Sequence, residues 1–304
     1  MLRNLLKANK WWVNPLVDRM QIASVKAAAR EQEIDKLSEF LAEIVPDLTE
    51  QYTTFNIDKE VLRVRVRAIH AFQLRLAIRA VDLIADRRSL FVVDVGDSSG
   101  THLIYLKSML SSDPRFRSSR LKFLSVNMDP VAIEKIRSKG FDALLCRAED
   151  LYGKHQIKAD LLLSFEMLEH LNDPISFLSG ISSRSVCKYF VLTVPYLAQS
   201  RVGLHHIRQQ QKRDVFPENT HIFELSPMDW KLIFQHSGWK IIDEMKYQQY
   251  PQRSVFRVTK SFWKRFDFEG FYGFILERDR TWADLYKTGS SAIQLLGASP
   301  VNAC

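Results

Sequence analysis

The stretch Ser164-Phe165-Glu166-Met167-Leu168-Glu169-His170-Leu171 gathers two carboxylates and an imidazole. If a helical turn starts at Glu166, then Glu166, Glu169 and His170 stand at i, i+3 and i+4 and share one face. Such a set suits a divalent cation, because carboxylate oxygens favour a hard ion and histidine admits several metals. The competing reading is structural, with Glu166 and Glu169 bonding backbone amides.

A second constellation precedes it. The apolar run Phe91-Val92-Val93-Asp94-Val95 enters Gly96-Asp97-Ser98-Ser99-Gly100, and a helix follows from Thr101. Strand, glycine turn and helix make a nucleotide cradle: Gly96 lets the chain turn, Gly100 allows close approach, and amides at the helix start face a polar ligand. A plain tight turn and a nicotinamide dehydrogenase are the rival readings, and Ser98 stands where a middle glycine is expected.

These residues need a scaffold. Short apolar runs near 91–95, 121–126, 142–146, 159–164, 188–194, 239–242 and 272–277 read as strands, and helices are expected near 101–111, 130–139, 172–183 and 227–237. Ser226 and Pro227 provide a cap and a first helical residue for the last of these. The alternation gives an α/β fold, a doubly wound and mostly parallel seven-stranded sheet with ligands at the carboxyl ends of its strands. Before it, 21–47 reads as helix until Pro46, and 58–85 as a second helix with Leu62, Ile69, Phe72, Leu76 and Ile84 in a stripe; Arg63, Arg67, Arg75 and Arg79 are expected on a solvated face. The division expected is a helical N-terminal extension over 1–88, a main domain over 89–280 with an acceptor lid about 196–220, and a loose tail over 281–304.

The chain resembles the class I S-adenosylmethionine-dependent methyltransferases from about Leu90 to Glu277, on Asp94-Val95-Gly96-Asp97-Ser98-Ser99-Gly100 and the Glu-x-Leu-Glu-His string at 166–170. The resemblance implies a Rossmann-like methyltransferase fold, S-adenosylmethionine as cofactor, and cofactor contacts at Asp94, Gly96, Ser98 and Gly100. It further implies a ribose contact at Asn127, where the family has an acid, or at Asp129 two residues on. Adenine contacts fall to Ala148 and Glu149, because Arg147 takes the usual Asp position. The segment Glu218–Ser226 is similar to one that supplies a second histidine in metal-dependent small-RNA 2'-O-methyltransferases and ubiquinone-pathway O-methyltransferases. Carried over, Glu166, Glu169, His170 and His221 become ligands of one Mg2+ or Mn2+ ion; the alternative is that His221 caps or packs beside the site. A cation there would chelate a vicinal diol and lower the pKa of one hydroxyl. Without it, His221, His205 or His206 must act as base. Sugar and small-molecule O-methyltransferases share the string, so the expected reaction is O-methylation of a sugar hydroxyl in a glycan or its precursor. An RNA ribose 2'-O-methyltransferase and a non-catalytic binding subunit are the alternatives.

Composition bounds these readings. With 304 residues, 46% hydrophobic and 26% charged, disordered, collagen-like and coiled-coil classes are excluded. Apolar runs stop short of the roughly 18 residues of a membrane span. The first 15 residues make a poor signal peptide, so a cytoplasmic protein is expected. Three cysteines without C-x-x-C spacing indicate neither a disulfide framework nor a thiolate zinc site. The net charge of +8 collects at the two ends, while 196–245 holds six basic and six acidic residues, which favours a sugar acceptor over nucleic acid. Aromatic residues Phe262, Trp263, Phe266, Phe268, Phe271 and Tyr272 are expected in the core or stacked on an acceptor. Neither the oligomeric state nor the role of the N-terminal helices follows from the sequence.

Overall fold

The computed structural model describes residues 10–84, 88–202, 221–251 and 268–286. Three helices come first: α1 (Lys10–Glu31), α2 (Asp35–Ile44) and α3 (Glu60–Asp82). The continuous helix expected over 21–47 is broken after Glu31, where Glu33 adopts a left-handed φ of 57° and the Ile34 amide bonds to the Ala29 carbonyl at 2.9 Å. The break turns Ile34 and Leu41 into the core.

Helix α3 is more deeply buried than its stripe implies, with Arg67, Ala68 and the run from His70 to Leu74 all inside. Arg67, expected on a solvated face, is 8% exposed. Its guanidinium donates to the carbonyls of Leu41 at 3.0 Å, Val45 at 2.8 Å and Pro46 at 3.0 Å. The Leu41 carbonyl also accepts from the Val45 amide at 3.1 Å, whereas Val45 and Pro46 lie just past the end of α2, where carbonyls lack intrahelical partners. A buried acceptor left unpaired costs about 1–3 kcal/mol. Arg67→Met is therefore expected to destabilise the protein by about 3 kcal/mol in a denaturant titration, and an unchanged midpoint would contradict the capping role. Arg75 is likewise engaged, donating to the Gln32 carbonyl at 2.9 Å.

The sheet follows, from β1 (Ser89–Val95), β2 (Arg120–Asn127), β3 (Asp142–Leu145), β4 (Ala159–Phe165), β5 (Cys187–Leu197), β8 (Trp239–Tyr247) and β9 (Phe268–Arg278). The order is β3-β2-β1-β4-β5-β9-β8, with β9 antiparallel to both neighbours and the first five strands parallel. Strands covered on both faces read as continuous apolar runs, as Val92-Val93 and Leu161-Leu162-Leu163 do. Val92, Leu161 and Leu163 pack with Phe72 and Leu76 of α3 and with Leu103 of α4 (Thr101–Ser112). Val93 and Leu162 pack with Phe177 of α6 (Pro174–Ser183) and Trp230 of α7 (Pro227–His236). The N-terminal helices and the sheet thus share one core. Helix α5 (Pro130–Ser138) joins β2 to β3, and α8 (Thr281–Leu285) follows β9.

Every expected strand and sheet-flanking helix is present, and Ser226 caps α7 through the Asp229 amide with Pro227 at its first position. A ribbon of β6 (Arg201–Val202) and β7 (Phe223–Glu224), which nothing in the sequence signalled, brackets 203–220. Most of the expected lid, with His205, His206, Arg208, Lys212 and Arg213, lies outside the described residues, as do Phe262, Trp263, Phe266, Cys304 and most of the expected tail. Cys146 and Cys187 are free thiols. Among the described residues no helix is long and apolar enough to cross a membrane.

Candidate active site

The glycine turn sits at the carboxyl end of β1. Gly96 has φ +100° and Gly100 φ +75°, both in the region that L side chains avoid. A Cβ on Gly96 would stand 2.9 Å from Met167 Cγ, so this turn and the Glu166-Met167 turn are packed face to face. The expectation that the helix-start amides face a ligand needs revising, because Asp97 takes two of them: its carboxylate accepts from the Ser99 amide at 3.0 Å and the His102 amide at 3.2 Å. Asn127, at the end of β2, donates to the Asp97 carbonyl at 3.2 Å and accepts from the Asp129 amide at 2.8 Å. Asp129 caps α5 through the Val131 amide. Glu149, beside Ala148 in the turn after β3, pairs with Arg147 at 3.1 Å. Asn127 is thus tied to the glycine turn, while Asp129 and Glu149 are engaged in local bonds of their own.

Asp94 does not line that rim. It is 1% exposed and points beneath the turn, where His102 Nδ1 stands 3.6 Å from both the Asp94 and Asp97 carboxylates. His102 Nε2 meets the Gln73 Oε1 at 3.0 Å, and the Gln73 amide donates to Thr193 at 3.1 Å. Burial alone would lower the His102 pKa, but the charge of Asp97 and the carboxylates of both aspartates outweigh it and hold the ring up to about 10. Asp94 is pushed up by burial, while Asp97, though buried, is held down by the His102 charge and its hydrogen bonds. The linkage sign follows: stability contributed by a raised histidine is fully present below its unfolded pKa of about 6.5 and is lost as pH climbs through the folded value. Thermal midpoints are expected to fall between pH 7 and 10 in the wild type and to vary less in His102→Asn; parallel profiles would contradict the pairing.

The second centre lies after β4. The helical turn expected from Glu166 does not form: Glu166 has a left-handed φ of 51°, and only Leu168–His170 make a short 3-10 turn. Glu166, Glu169 and His170 consequently do not share a helix face. Glu169, His170 and His221 instead converge, each placing one ligand atom within 4.8 Å of the others. The Ile222 amide donates to the Glu169 carbonyl at 2.8 Å, tying the two segments together, and the His170 and His221 rings meet edge to face at 4.8 Å. Glu224 stands 3.6 Å from His221 Nδ1, the relation in which an outer carboxylate orients a metal-binding imidazole. Glu169 is 0% exposed, and neither of its carboxylate oxygens has a hydrogen-bond partner among the described residues. Burial, then repulsion from Glu166, pushes its pKa well above the usual carboxylate range. Glu166 lies outside the converging three; burial raises it to about 8 despite its bond to Thr193. A buried carboxyl without a side-chain hydrogen bond, its Oε1 3.7 Å from His170 Nε2, fits a hard cation, which would favour its ionised form.

Residues 67–244 match the methyltransferase-domain family. The chain belongs to that family. It is an S-adenosylmethionine-dependent methyltransferase, and its seven-stranded sheet with one antiparallel strand is the Rossmann-like form expected. Among solved structures it is similar in fold to the cyclase SpnF, at 12% identity over 83% of this chain and 97% of that one with a TM-score of 0.50. It also matches the magnesium protoporphyrin IX methyltransferase of Synechocystis PCC 6803 solved with bound S-adenosylmethionine, at 12% identity over 73% and 86% with a TM-score of 0.43. A third match is the 1,6-didemethyltoxoflavin N1-methyltransferase of Burkholderia thailandensis, at 11% identity over 69% and 78% with a TM-score of 0.44. No curated protein sequence matches the chain.

Sequence reasoning about this methyltransferase missed His102, Gln73, Gln51 and Thr193. Gln51 reaches the glycine turn from the segment between α2 and α3, accepting from Ser99 Oγ at 3.1 Å. The available signals were faint: a histidine in the first turn after a glycine loop, and polar His70 and Gln73 on the apolar side of a helix.

Proposed function

We propose that the enzyme methylates a sugar hydroxyl of a glycan or its precursor, with Mg2+ or Mn2+ held by Glu169, His170 and His221 beside Glu166. The observation that carries this reading is the buried Glu169 carboxyl with no hydrogen-bond partner among the described residues, set against two histidines. When bound, the cation supplies a Lewis acid that lowers the pKa of a chelated hydroxyl. Gly96 and Gly100 leave room for S-adenosylmethionine, with Asp94, Ser98, Asn127, Asp129, Ala148 and Glu149 around or beneath it. The contact between Gly96 and Met167 sets this turn against the Glu166 turn, so a methyl donor on the first would lie beside an acceptor on the second. The acceptor oxygen attacks the methyl carbon, the carbon–sulfur bond breaks with its electron pair passing to sulfur, and S-adenosylhomocysteine leaves. With the cation bound, the acidified hydroxyl would lose its proton to solvent; without it, His221, oriented by Glu224, receives that proton.

The test is incubation of the protein with tritiated-methyl S-adenosylmethionine and Mn2+ beside oligosaccharides bearing vicinal diols, their deoxy analogues, and small RNA. Label is expected in the diol-bearing sugars and absent from deoxy analogues. Label in RNA, suppressed by salt, would replace the sugar reading with ribose methylation.

A further inference from the structure

The N-terminal helices reach the cofactor turn through a buried polar chain. Gln73 of α3 lies between Thr193 of β5 and His102 of α4, and all three side chains are buried. With its amide nitrogen given to Thr193, Gln73 turns only its carbonyl oxygen toward His102, so Nε2 of the ring must carry a proton. On the opposite side Nδ1 faces two carboxylates in a dry site. Were that nitrogen unprotonated, its lone pair would add to an uncompensated double negative charge.

We infer that His102 is a positioning residue for cofactor binding: an imidazolium kept charged between Asp94 and Asp97 on one side and Gln73 on the other, which holds the Gly96–Gly100 turn in its binding shape. This rests on the reading of that turn as the S-adenosylmethionine site. Asp97 is the hinge of the device, because one carboxylate accepts from the Ser99 and His102 amides and faces the ring as well. Without the ring's charge the two aspartates repel each other beneath the turn, and Asp97 loses the partner that keeps it ionised. The other cation at this turn is Lys139, just after α5, which donates to the Ser99 carbonyl at 2.6 Å and attracts Asp97. His70 on α3 meets the ring edge to face at 4.8 Å and is held neutral by burial, and Phe165 of β4 covers it at 4.9 Å. Glu166 bonds Thr193 at the far end of the chain and acts on His102 through charge, and Arg67 acts on His70 through charge.

The experiment has two readouts on the full chain. Long-range proton–nitrogen correlation spectra of the 15N-labelled wild type, with His102 assigned by the contacts of its ring with Phe165 and His70, are expected to show both ring nitrogens protonated from pH 6 to 8.5. Calorimetric titration with S-adenosylmethionine is expected to show an affinity flat over that range in the wild type and at least 10-fold weaker in His102→Gln at pH 7.5. At pH 5.5 the variant recovers most of the loss, because the aspartate pair takes up a proton in place of the imidazolium. A purely structural role would weaken binding equally at both pH values. A ring with either nitrogen unprotonated at pH 7.5, or His102→Gln binding the cofactor as the wild type does, would overturn the inference, and the ring spectrum needs no variant to fold well. A folded wild type with the doubly protonated ring but no cofactor binding would overturn the cofactor reading instead.

Discussion

Gly96→Val is expected to abolish S-adenosylmethionine binding, by at least about 100-fold in dissociation constant, which is about 2.7 kcal/mol. Two independent costs add at this position. The backbone stands at φ +100°, where a β-branched residue is strained, and the new Cβ would stand 2.9 Å from Met167 Cγ and 3.1 Å from Met167 Cβ. Relief requires moving the turn away from Met167, and with it the surface proposed to receive the cofactor. Gly153→Ala is the control, since a Cβ there meets nothing within 4 Å and its backbone needs no left-handed conformation. Calorimetry with circular dichroism as the check on folding reads both variants. Near-normal affinity in a folded Gly96→Val protein would place the cofactor elsewhere.

The second large effect concerns Glu169. Glu169→Gln should lower Mn2+ affinity by at least about 100-fold while raising the thermal stability of the metal-free protein, an opposition expected of functional sites that store unfavourable interactions. A carboxyl whose folded pKa is raised costs the native state as pH rises above the ordinary Glu value of about 4.3, because folding must either retain the proton or bury the charge. The metal-free wild type should therefore lose stability from pH 5 upward more steeply than Glu169→Gln. At pH 8 a gain of about 1 kcal/mol, or about 3 °C, is expected for the variant. Saturating Mn2+ should reverse the order, since only the wild type gains from binding. Equal Mn2+ affinity in the two proteins would remove the cation from the mechanism.

Much of the scaffold was legible because its signals are local. The buried strands announce themselves as runs such as Leu161-Leu162-Leu163, and α7 is marked at one end by Ser226-Pro227 and at the other by Gly238. The glycine turn was legible for the same reason, since Gly96 and Gly100 occupy conformations that few other residues accept. What escaped depends on contacts distant in sequence or on non-glycine residues in left-handed backbone. Nothing local marks Glu33 or Glu166 as a positive-φ position, so one helix was read through its break and a helical turn was placed where the chain turns sharply. Arg67 looks like any solvated helix arginine until the end of α2 is folded onto it. Gln73 acquires its place only when β5, 120 residues on, supplies Thr193. The grouping of the candidate ligands differs from that expected: the ribbon of β6 and β7 beside His221 accompanies its approach to Glu169 and His170, while Glu166 turns toward Thr193.

The most direct measurement is sequential calorimetric titration of metal-stripped protein, first with S-adenosylmethionine and then with MnCl2. One cofactor site followed by one Mn2+ site, the second lost in Glu169→Gln with the first retained, is the result this account predicts. A folded protein that gives no heat with S-adenosylmethionine, or that takes up Mn2+ equally well without Glu169, would contradict it.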